Sequence, residues 1–449
     1  MVEEISDHRL QHFYQKKIAE NPEDKKLLTS QLYCGSRVLK SLGHLPAVFV
    51  FANKEQARFW GMTTCKNAWS CPVCSAKQMS KYAADIAAAI DAINQPNHNQ
   101  AAIMITFTIP HTRNMTCAET TEILFNTWKD LIQRGNKNVQ CSYYLRTTGE
   151  RKYSGTKGNN PFASFCETFN CKHRVRVGEF TWGEHGWHPH FHCLFWVDKN
   201  KIQETIKWQE ILQERWYHLA KKNTLKTWNK MFPDNRENNL KRVHIMYQNL
   251  DKDSNGVYIS TDKNGKVIIQ KSSMYICGWG ADKELTGNYR AKATHENHMT
   301  PHQILEKAYE SQGDERDKWL NLYMEFARTV RIKRRNRIKW SCNSGIKQII
   351  QQWKTTQGYR EVLKKKAIQQ AKNVGEWVPI GWLDEKSWLQ ICLLNRTTPI
   401  KAGLLEICKE GCYELIDDYL APYNIRFRRI EEHPNIHIKE FLENLISIA

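Results

Sequence analysis

A short run of histidines constrains this chain more than any other feature. Residues 187–192 read Trp-His-Pro-His-Phe-His, directly after the turn signal Gly-Glu-His-Gly at 183–186. Side chains alternate between the two faces of a β-strand, so a strand here would place His188, His190 and His192 on one face. This pattern indicates a metal-ligating surface. The alternative is a histidine-rich edge strand whose rings only pack or form hydrogen bonds.

A tight turn at 183–186 would also set the register of the preceding strand. Trp182 would lie opposite Trp187, and counting back would place Glu179 opposite His190. Cross-strand partners share a face, so Glu179 would join the histidines, whereas a slip of one residue would turn it away. Imidazoles with one carboxylate suit Mn²⁺, Zn²⁺ or Mg²⁺ with positions left open for substrate and water. Such an ion would polarise a phosphodiester oxygen.

A second candidate metal site lies in a cysteine-rich segment. Three cysteines there have the spacing C-x5-C-x2-C: Cys65, Cys71 and Cys74. A Cys-Pro-x-Cys knuckle is typical of structural zinc, which needs a fourth ligand. Cys34 is the best candidate by its chemistry, with His44 and His98 as alternatives. The competing interpretation is that these residues are buried, reduced cysteines that pack as small apolar side chains.

The charge balance favours a polyanionic partner. The chain has 449 residues, with 66 Lys and Arg against 47 Asp and Glu, and its formal net charge is +19. This excess favours nucleic acid but does not separate DNA from RNA or from an anionic membrane surface. The N-terminal segment lacks the apolar core of a signal peptide, and no apolar run approaches the roughly 18 residues of a membrane helix. We therefore expect a cytoplasmic protein whose 14 cysteines are thiols or metal ligands.

Hydrophobic periodicity predicts an α+β fold with a central antiparallel sheet and helices packed on one side. Residues 1–45 look helical with a break at Asn21-Pro22, and an alanine-rich helix is predicted from Ser75 to Ile93. Alternating patterns and turn signals predict strands at 103–109, 175–182, 187–197, 257–261 and 266–270. From about residue 301 onward the pattern is mainly helical.

Taken together, the motifs resemble those of rolling-circle replication initiators, the plasmid Rep branch of the HUH endonucleases. The run Arg174–Trp196 resembles the second motif of the family, whose His-hydrophobic-His signature is His190-Phe191-His192. The strand Ile103–His111 resembles the first motif, and Met274–Gly287 resembles the third. The resemblance implies a ferredoxin-like or RRM-like nuclease core and Mg²⁺ or Mn²⁺ at the histidines.

The resemblance selects Tyr275 among 17 tyrosines as the nucleophile. It implies in-line attack of the tyrosine oxygen on a DNA phosphate, which gives a 5′-phosphotyrosine and a free 3′-OH. Gly278 stands where many relatives have a lysine, and Lys271 stands where some have a glutamate that activates water. Lys271 could contact the scissile phosphate, while Glu284 is a weak substitute for the missing carboxylate.

These assignments divide the chain into three expected regions. Residues 1–95 would form a helical region with the cysteine-rich zinc element, which also occurs in Rep relatives. Residues 96–300 would form the HUH nuclease domain, and residues 301–449 a helical, basic C-terminal region. A basic run at 331–339 suits phosphate contacts along a DNA helix. Its charged residues are Arg331, Lys333, Arg334, Arg335, Arg337 and Lys339.

The resemblance also implies partners. These are origin DNA that is single-stranded or a hairpin at the nick, a host polymerase and a host helicase, because the chain has no G-x-x-x-x-G-K-[ST] loop. A homodimer is compatible with the sequence.

Two alternative functions stay open. A conjugative relaxase or single-strand transposase would share the chemistry, although 298–305 and 339–347 resemble a plasmid Rep subfamily. A zinc-dependent DNA-binding repressor would have only structural histidines.

Overall fold

The computed structural model describes most of the chain in separate segments. They are residues 3–39, 46–93, 99–132, 141–144, 151–154, 161–205, 208–224, 245–247, 251–252, 257–259, 298–332, 338–342, 345–356, 377–395 and 397–432. The described helices are α1 Glu3–Glu20, α2 Pro22–Leu27, α3 Thr29–Leu32, α4 Pro72–Ile93, α5 Cys117–Ile132, α6 Pro161–Thr168, α7 Ile202–Thr205, α8 Gln209–Asn223, α9 Pro301–Glu310, α10 Gly313–Ile332, α11 Gly345–Thr355, α12 Glu385–Leu394, α13 Ile400–Glu410 and α14 Leu415–Leu420. The described strands are β1 Ala47–Ala52, β2 Ala57–Trp60, β3 Gln100–Thr108, β4 Cys141–Tyr144, β5 Arg151–Ser154, β6 His173–Gly183, β7 Gly186–Asp198, β8 Ile245–Tyr247, β9 Asp251–Lys252, β10 Val257–Ile259, β11 Ile338–Cys342, β12 Val378–Asp384 and β13 Arg428–Arg429.

The main sheet carries the strands predicted from the alternating patterns. Its order is β11-β6-β7-β3-β10-β9, and β8 also pairs with β3. The described pairs are antiparallel except β10 with β3, which is parallel. The mixed α+β architecture with antiparallel sheets is therefore confirmed, with this one parallel pair as an exception. The strand predicted at 266–270 lies outside the described residues.

Helices cover both faces of the main sheet, so the expectation of helices on one side was wrong. On one face, Ile103, Ile105 and Phe107 of β3 pack in a core with α5 and α8. On the other face, Ala102 and Met104 of the same strand pack in a core with α4 and α11. The physical reason is that β3 is apolar on both faces, and a strand of this kind must be covered on both.

A second sheet pairs strands from the N-terminal and C-terminal parts of the chain. Its order is β13-β12-β1-β2, with Val48 opposite Leu383 and Phe49 opposite Trp382. Residues 378–384 were expected to be helical, and they form a strand because they complete a buried apolar sheet with β1, a pairing far apart in sequence. The division of the chain at residues 95 and 300 remains a prediction. Strands from the first and third expected regions pair in this sheet, so these two regions are in contact.

The basic run at 331–339 does not lie in one helix, although the pattern from residue 301 onward was expected to be mainly helical. Helix α10 ends at Ile332, and Lys339 lies in β11 opposite Arg176 of β6. The Arg331 Nε donates a hydrogen bond to the Leu27 carbonyl oxygen at 3.2 Å, so this side chain anchors α10 to the N-terminal helices. The remaining charged residues of the run lie outside the described residues: Lys333, Arg334, Arg335 and Arg337.

The N-terminal helices follow the predicted break. The Asn21 side chain accepts hydrogen bonds from the backbone N–H groups of Glu23 and Asp24, which caps α2 just before Pro22. The predicted alanine-rich helix is α4, which begins at Pro72, inside the cysteine knuckle. None of the helices in the described segments is long and apolar enough to cross a membrane.

Candidate metal centres

The β6–β7 hairpin has the predicted register. Glu179 lies opposite His190, and Trp182 lies opposite Trp187. The turn requires a glycine at Gly186, whose φ is +87° and where an added Cβ would lie 3.0 Å from the Arg113 Cα. The turn therefore fixes the face on which each side chain of the hairpin lies.

Glu179, His190 and His192 meet on that face, and we call this group the hairpin site. The Nε2 atoms of His190 and His192 lie 3.2 Å and 2.9 Å from the same oxygen, Glu179 Oε2. The ligand atoms all lie within 4.8 Å of one another. His192 is buried, whereas His190 and Glu179 are partly exposed. Solvent therefore reaches the group at His190 and Glu179, which we call its open side, and an exchangeable metal ion needs such access.

The hydrogen bonds around the hairpin site fit a cation between these atoms. His190 Nδ1 lies 3.4 Å from the His188 carbonyl oxygen, which can only accept a hydrogen bond. A neutral ring that carries its proton on Nδ1 presents the Nε2 lone pair toward the Glu179 carboxylate. This is the tautomer in which Nε2 and the carboxylate oxygen could both ligate one cation.

The electrostatics agree with a charged carboxylate. Burial alone would raise the pKa of Glu179, but hydrogen bonds from His190 and His192 hold that pKa well below its usual range. Burial lowers the pKa of His192. Neutral imidazoles and an ionised carboxylate are the protonation states in which these groups bind a divalent cation.

His188 lies beside the hairpin site but is not part of it. It pairs with Thr181, and its ring centroid lies 5.1 Å from that of His190. The centroid of its ring also lies 4.6 Å from that of His111 and 6.1 Å from that of His298. A row of imidazole rings therefore extends from the hairpin site. Burial lowers the pKa of His188 well below its usual value and the pKa of His111 to about 4.

Sequence reasoning missed a residue behind the hairpin site. Thr106 on β3 lies opposite His192, and its Oγ1 lies 2.9 Å from His192 Nδ1. Both side chains are buried. The sequence did hint at Thr106, because this polar residue alternates with the apolar residues of the first motif. Only the pairing of β3 with β7 shows which histidine it contacts. His111 and His298 were missed because they come from segments far away in sequence.

The four predicted cysteines also converge, and we call this group the cysteine cluster. Cys34, Cys65, Cys71 and Cys74 have sulfur atoms within 4.8 Å of one another. Cys34 and Cys65 lie 3.4 Å and 3.5 Å from the sulfur of Cys74. Four thiols at these distances could hold a metal ion, and four cysteines are a ligand set that structural zinc sites use. The alternative ligands His44 and His98 lie outside the described residues.

Donors around the cysteine cluster suit thiolates. The backbone N–H of Cys65 donates to Cys34 Sγ at 3.3 Å, and that of Asn67 donates to Cys65 Sγ at 3.5 Å. The Gln11 side chain donates to Cys71 Sγ at 3.5 Å. Hydrogen bonds from Cys34, and then from the other two thiols, lower the pKa of Cys74. These donors favour the thiolate form, which is the form that binds zinc.

The predicted nucleophile lies in a segment outside the described residues. This holds for Tyr275 and Lys271, and also for Gly278 and Glu284. Their roles remain predictions.

Comparison with known proteins identifies the central segment. Residues 56–233 match the model of a family described as replication protein. A curated neomycin resistance protein from Streptomyces cyanogenus is 27% identical over 144 residues, which are 30% of this chain and 31% of that protein. The chain thus spans about a third of the curated relative that it matches. No solved structure matches the chain significantly. The predicted resemblance to replication proteins is therefore confirmed for residues 56–233.

Proposed function

We propose that this protein initiates rolling-circle replication of a plasmid or phage-type replicon by nicking one DNA strand at the origin. The observation that carries the proposal is the hairpin site, where one carboxylate and two imidazoles meet within a replication-protein segment. Paired strands hold these groups in place, and their open side leaves room for a phosphodiester. The net charge of +19 suits a DNA substrate.

The hairpin site would bind Mg²⁺ or Mn²⁺ through Glu179 Oε2 and the Nε2 atoms of both histidines. When bound, the ion supplies a positive charge that polarises the scissile phosphate. The chain supplies the rest. Glu179 stays ionised, while Thr106 and the His188 carbonyl accept the Nδ1 protons and hold each ring with Nε2 toward the ion.

Tyr275 is the proposed nucleophile. Its oxygen forms a bond to phosphorus as the bond to the 3′-oxygen breaks, and the tyrosine proton leaves while the departing oxygen gains one. The product is a 5′-phosphotyrosine and a free 3′-OH that primes synthesis. Attack of a 3′-OH on the phosphotyrosine later rejoins the strand without ATP, because each step exchanges one phosphoester for another.

Other parts of the protein have supporting roles in this proposal. The cysteine cluster would hold a structural Zn²⁺. Lys271 and the basic residues at 331–339 would contact the DNA backbone. A host helicase and polymerase would act on the nicked origin in the cytoplasm, where the protein acts alone or as a homodimer.

A cleavage assay tests the proposal. Zinc-loaded full-length protein is mixed with single-stranded origin DNA, with and without Mn²⁺, and adducts are resolved by denaturing electrophoresis. We expect a Mn²⁺-dependent covalent adduct that Tyr275→Phe and Glu179→Gln abolish, while the exposed control Tyr413→Phe retains it. An adduct that persists in Tyr275→Phe would assign the nucleophile to another tyrosine. DNA binding without any adduct would favour the repressor.

A further inference from the structure

We propose that Trp69 couples the cysteine cluster to the strand that carries Glu179, so that zinc in the cluster sets the metal affinity of the hairpin site. Trp69 is a positioning residue in this proposal, which rests on the proposed nuclease function. The two centres would then form one unit in which loading of the first prepares the second.

The cysteine cluster holds Trp69 in place. Asn67 Oδ1 accepts hydrogen bonds from the backbone N–H groups of Trp69 and Ser70, at 2.8 Å and 2.9 Å. The backbone N–H of Asn67 in turn donates to Cys65 Sγ. Cys71 follows directly on the other side of Trp69 and Ser70. The short loop is thus tied at both ends to proposed zinc ligands.

The indole of Trp69 lies against β6 on both sides of Glu179. An added Cβ at Gly178 would lie 2.9 Å from Trp69 Cη2, so the indole occupies the space that a side chain would need. The rings of Trp69 and Phe180 meet edge to face, with centroids 5.2 Å apart. Trp69 and Glu179 also line the same small cavity. A movement of the indole would therefore shift Gly178 and Phe180, the two residues that flank Glu179.

This contact lies beside a stretch of β6 that lacks a neighbouring strand among the described residues, although Phe180 also packs against Phe326. β11 pairs with β6 only as far as Val177, and Met299 pairs with Trp182 further along the same edge. Between these points, in the part of the chain that the structure describes, no strand pairs with the outer edge of residues 178–181. Along this unpaired stretch, Trp69 packs on the face of the strand, over Gly178 and against the Phe180 ring.

The coupling follows from how metal sites respond to their surroundings. Without zinc, the buried thiols of the cysteine cluster would lose the ion that holds them together, and the loop at 65–71 would relax. Glu179 would then be less well placed to accept an ion. Loss of an outer contact typically costs a metal site about 10- to 100-fold in affinity.

The test measures metal binding as well as activity. Zinc per chain is measured by elemental analysis, and Mn²⁺ affinity by calorimetry as the component that Glu179→Gln removes. We expect Trp69→Ala to keep its zinc but to bind Mn²⁺ about 10-fold more weakly or worse. Trp69→Phe should restore most of the affinity. The matched control is Trp377→Ala, since this tryptophan is also half-buried but lies beside the second sheet.

A second variant keeps the proposal falsifiable if Trp69→Ala does not fold. Gly178→Ala would push the indole away, and we expect weaker Mn²⁺ binding at unchanged zinc content. Wild-type Mn²⁺ affinity in a zinc-loaded Trp69→Ala or Gly178→Ala variant would overturn the coupling alone. If the wild-type protein showed no Glu179-dependent Mn²⁺ binding, the proposed nuclease function would fail, and the coupling with it.

Discussion

The two candidate metal centres of this protein are built in opposite ways. The hairpin site comes from two adjacent strands within 14 positions of sequence, offers nitrogen and oxygen ligands, and has an open side. The cysteine cluster comes from two segments, with Cys34 lying 31 positions before Cys65. It offers only sulfur, and three of its four residues are buried. A closed set of thiolates suits a permanent structural ion, whereas an open set with a carboxylate suits exchange and chemistry.

Their surroundings differ as well. The cysteine cluster receives hydrogen bonds mainly from backbone N–H groups, those of Cys65 and Asn67. The hairpin site depends on one side chain, Thr106, and one carbonyl. The cluster should therefore be sensitive only to changes in its ligands, while the hairpin site should also respond to a substitution behind it. Four predictions test this contrast, in order of expected effect.

The largest effect is expected for Cys71→Ser. A structural zinc site contributes on the order of 10 kcal/mol to folding, so losing one ligand should abolish zinc binding and lower the unfolding temperature strongly. Elemental analysis and thermal unfolding measure both changes. The control Cys408→Ser alters an equally buried cysteine outside the cluster, and should cost about 1–3 kcal/mol with zinc retained. Equal zinc content in the two variants would refute a zinc role for the cluster.

Glu179→Gln should affect only the hairpin site. It removes the one negative charge among the ligands, so Mn²⁺ affinity should fall by about 100-fold or more while zinc content stays at the wild-type value. Calorimetric titration with Mn²⁺ measures the loss. Glu184→Gln, exposed on the hairpin turn, is the control and should bind normally. Concurrent loss of zinc would mean that Glu179 also supports the cysteine cluster, which contradicts this prediction.

Thr106→Val tests the support behind the histidines. Valine keeps the shape but removes the hydroxyl that contacts His192 Nδ1, so Mn²⁺ affinity should drop by about 10-fold, and Thr106→Ser should recover it. Thr127→Val is the control, since the hydroxyl of this buried threonine bonds to Ile123 and Asn223 and not to a residue of the hairpin site. If serine failed to rescue binding, packing rather than hydrogen bonding would explain the effect.

The smallest effect concerns pH and lies on the cysteine-cluster side. Burial, followed by the charges of Lys401 and Lys77, lowers the pKa of His8 well below its usual value. The unfolded chain therefore binds a proton that the folded chain does not, so stability falls as the pH drops below about 6.5. The slope from one such group is at most about 1.4 kcal/mol per pH unit.

Denaturant unfolding from pH 6.5 to 5.5 measures this slope, with zinc content followed in parallel. His8→Leu should flatten the profile, while His185→Leu, an exposed control on the hairpin turn, should leave it unchanged. An unaltered slope in His8→Leu would show that other groups take up the proton.

Local signals account for what could be predicted. The glycines of the turn and the facing tryptophans set the hairpin register, so Glu179 was placed with His190 and His192 before the fold was known. The break at Asn21-Pro22 follows from capping chemistry. Predictions failed where distant pairing decides the outcome. Residues 378–384 form a strand because they pair with β1, and residues 338–342 because they pair with β6. No local sequence pattern reveals these pairings.

The sequence by itself determined most candidate ligands, namely Glu179, His190, His192 and the Cys65, Cys71 and Cys74 spacing, because strand alternation and cysteine spacing are local properties of the chain. Only the structure brought Cys34 to the other three cysteines. Only the tertiary structure decided that Thr106 supports His192, that His188 is left beside the site, and that Trp69 lies against Gly178. These contacts depend on how sheets and loops from separate segments pack. Such packing is set by the fit of buried surfaces across the whole fold, and it leaves little trace in the spacing of residues along the chain.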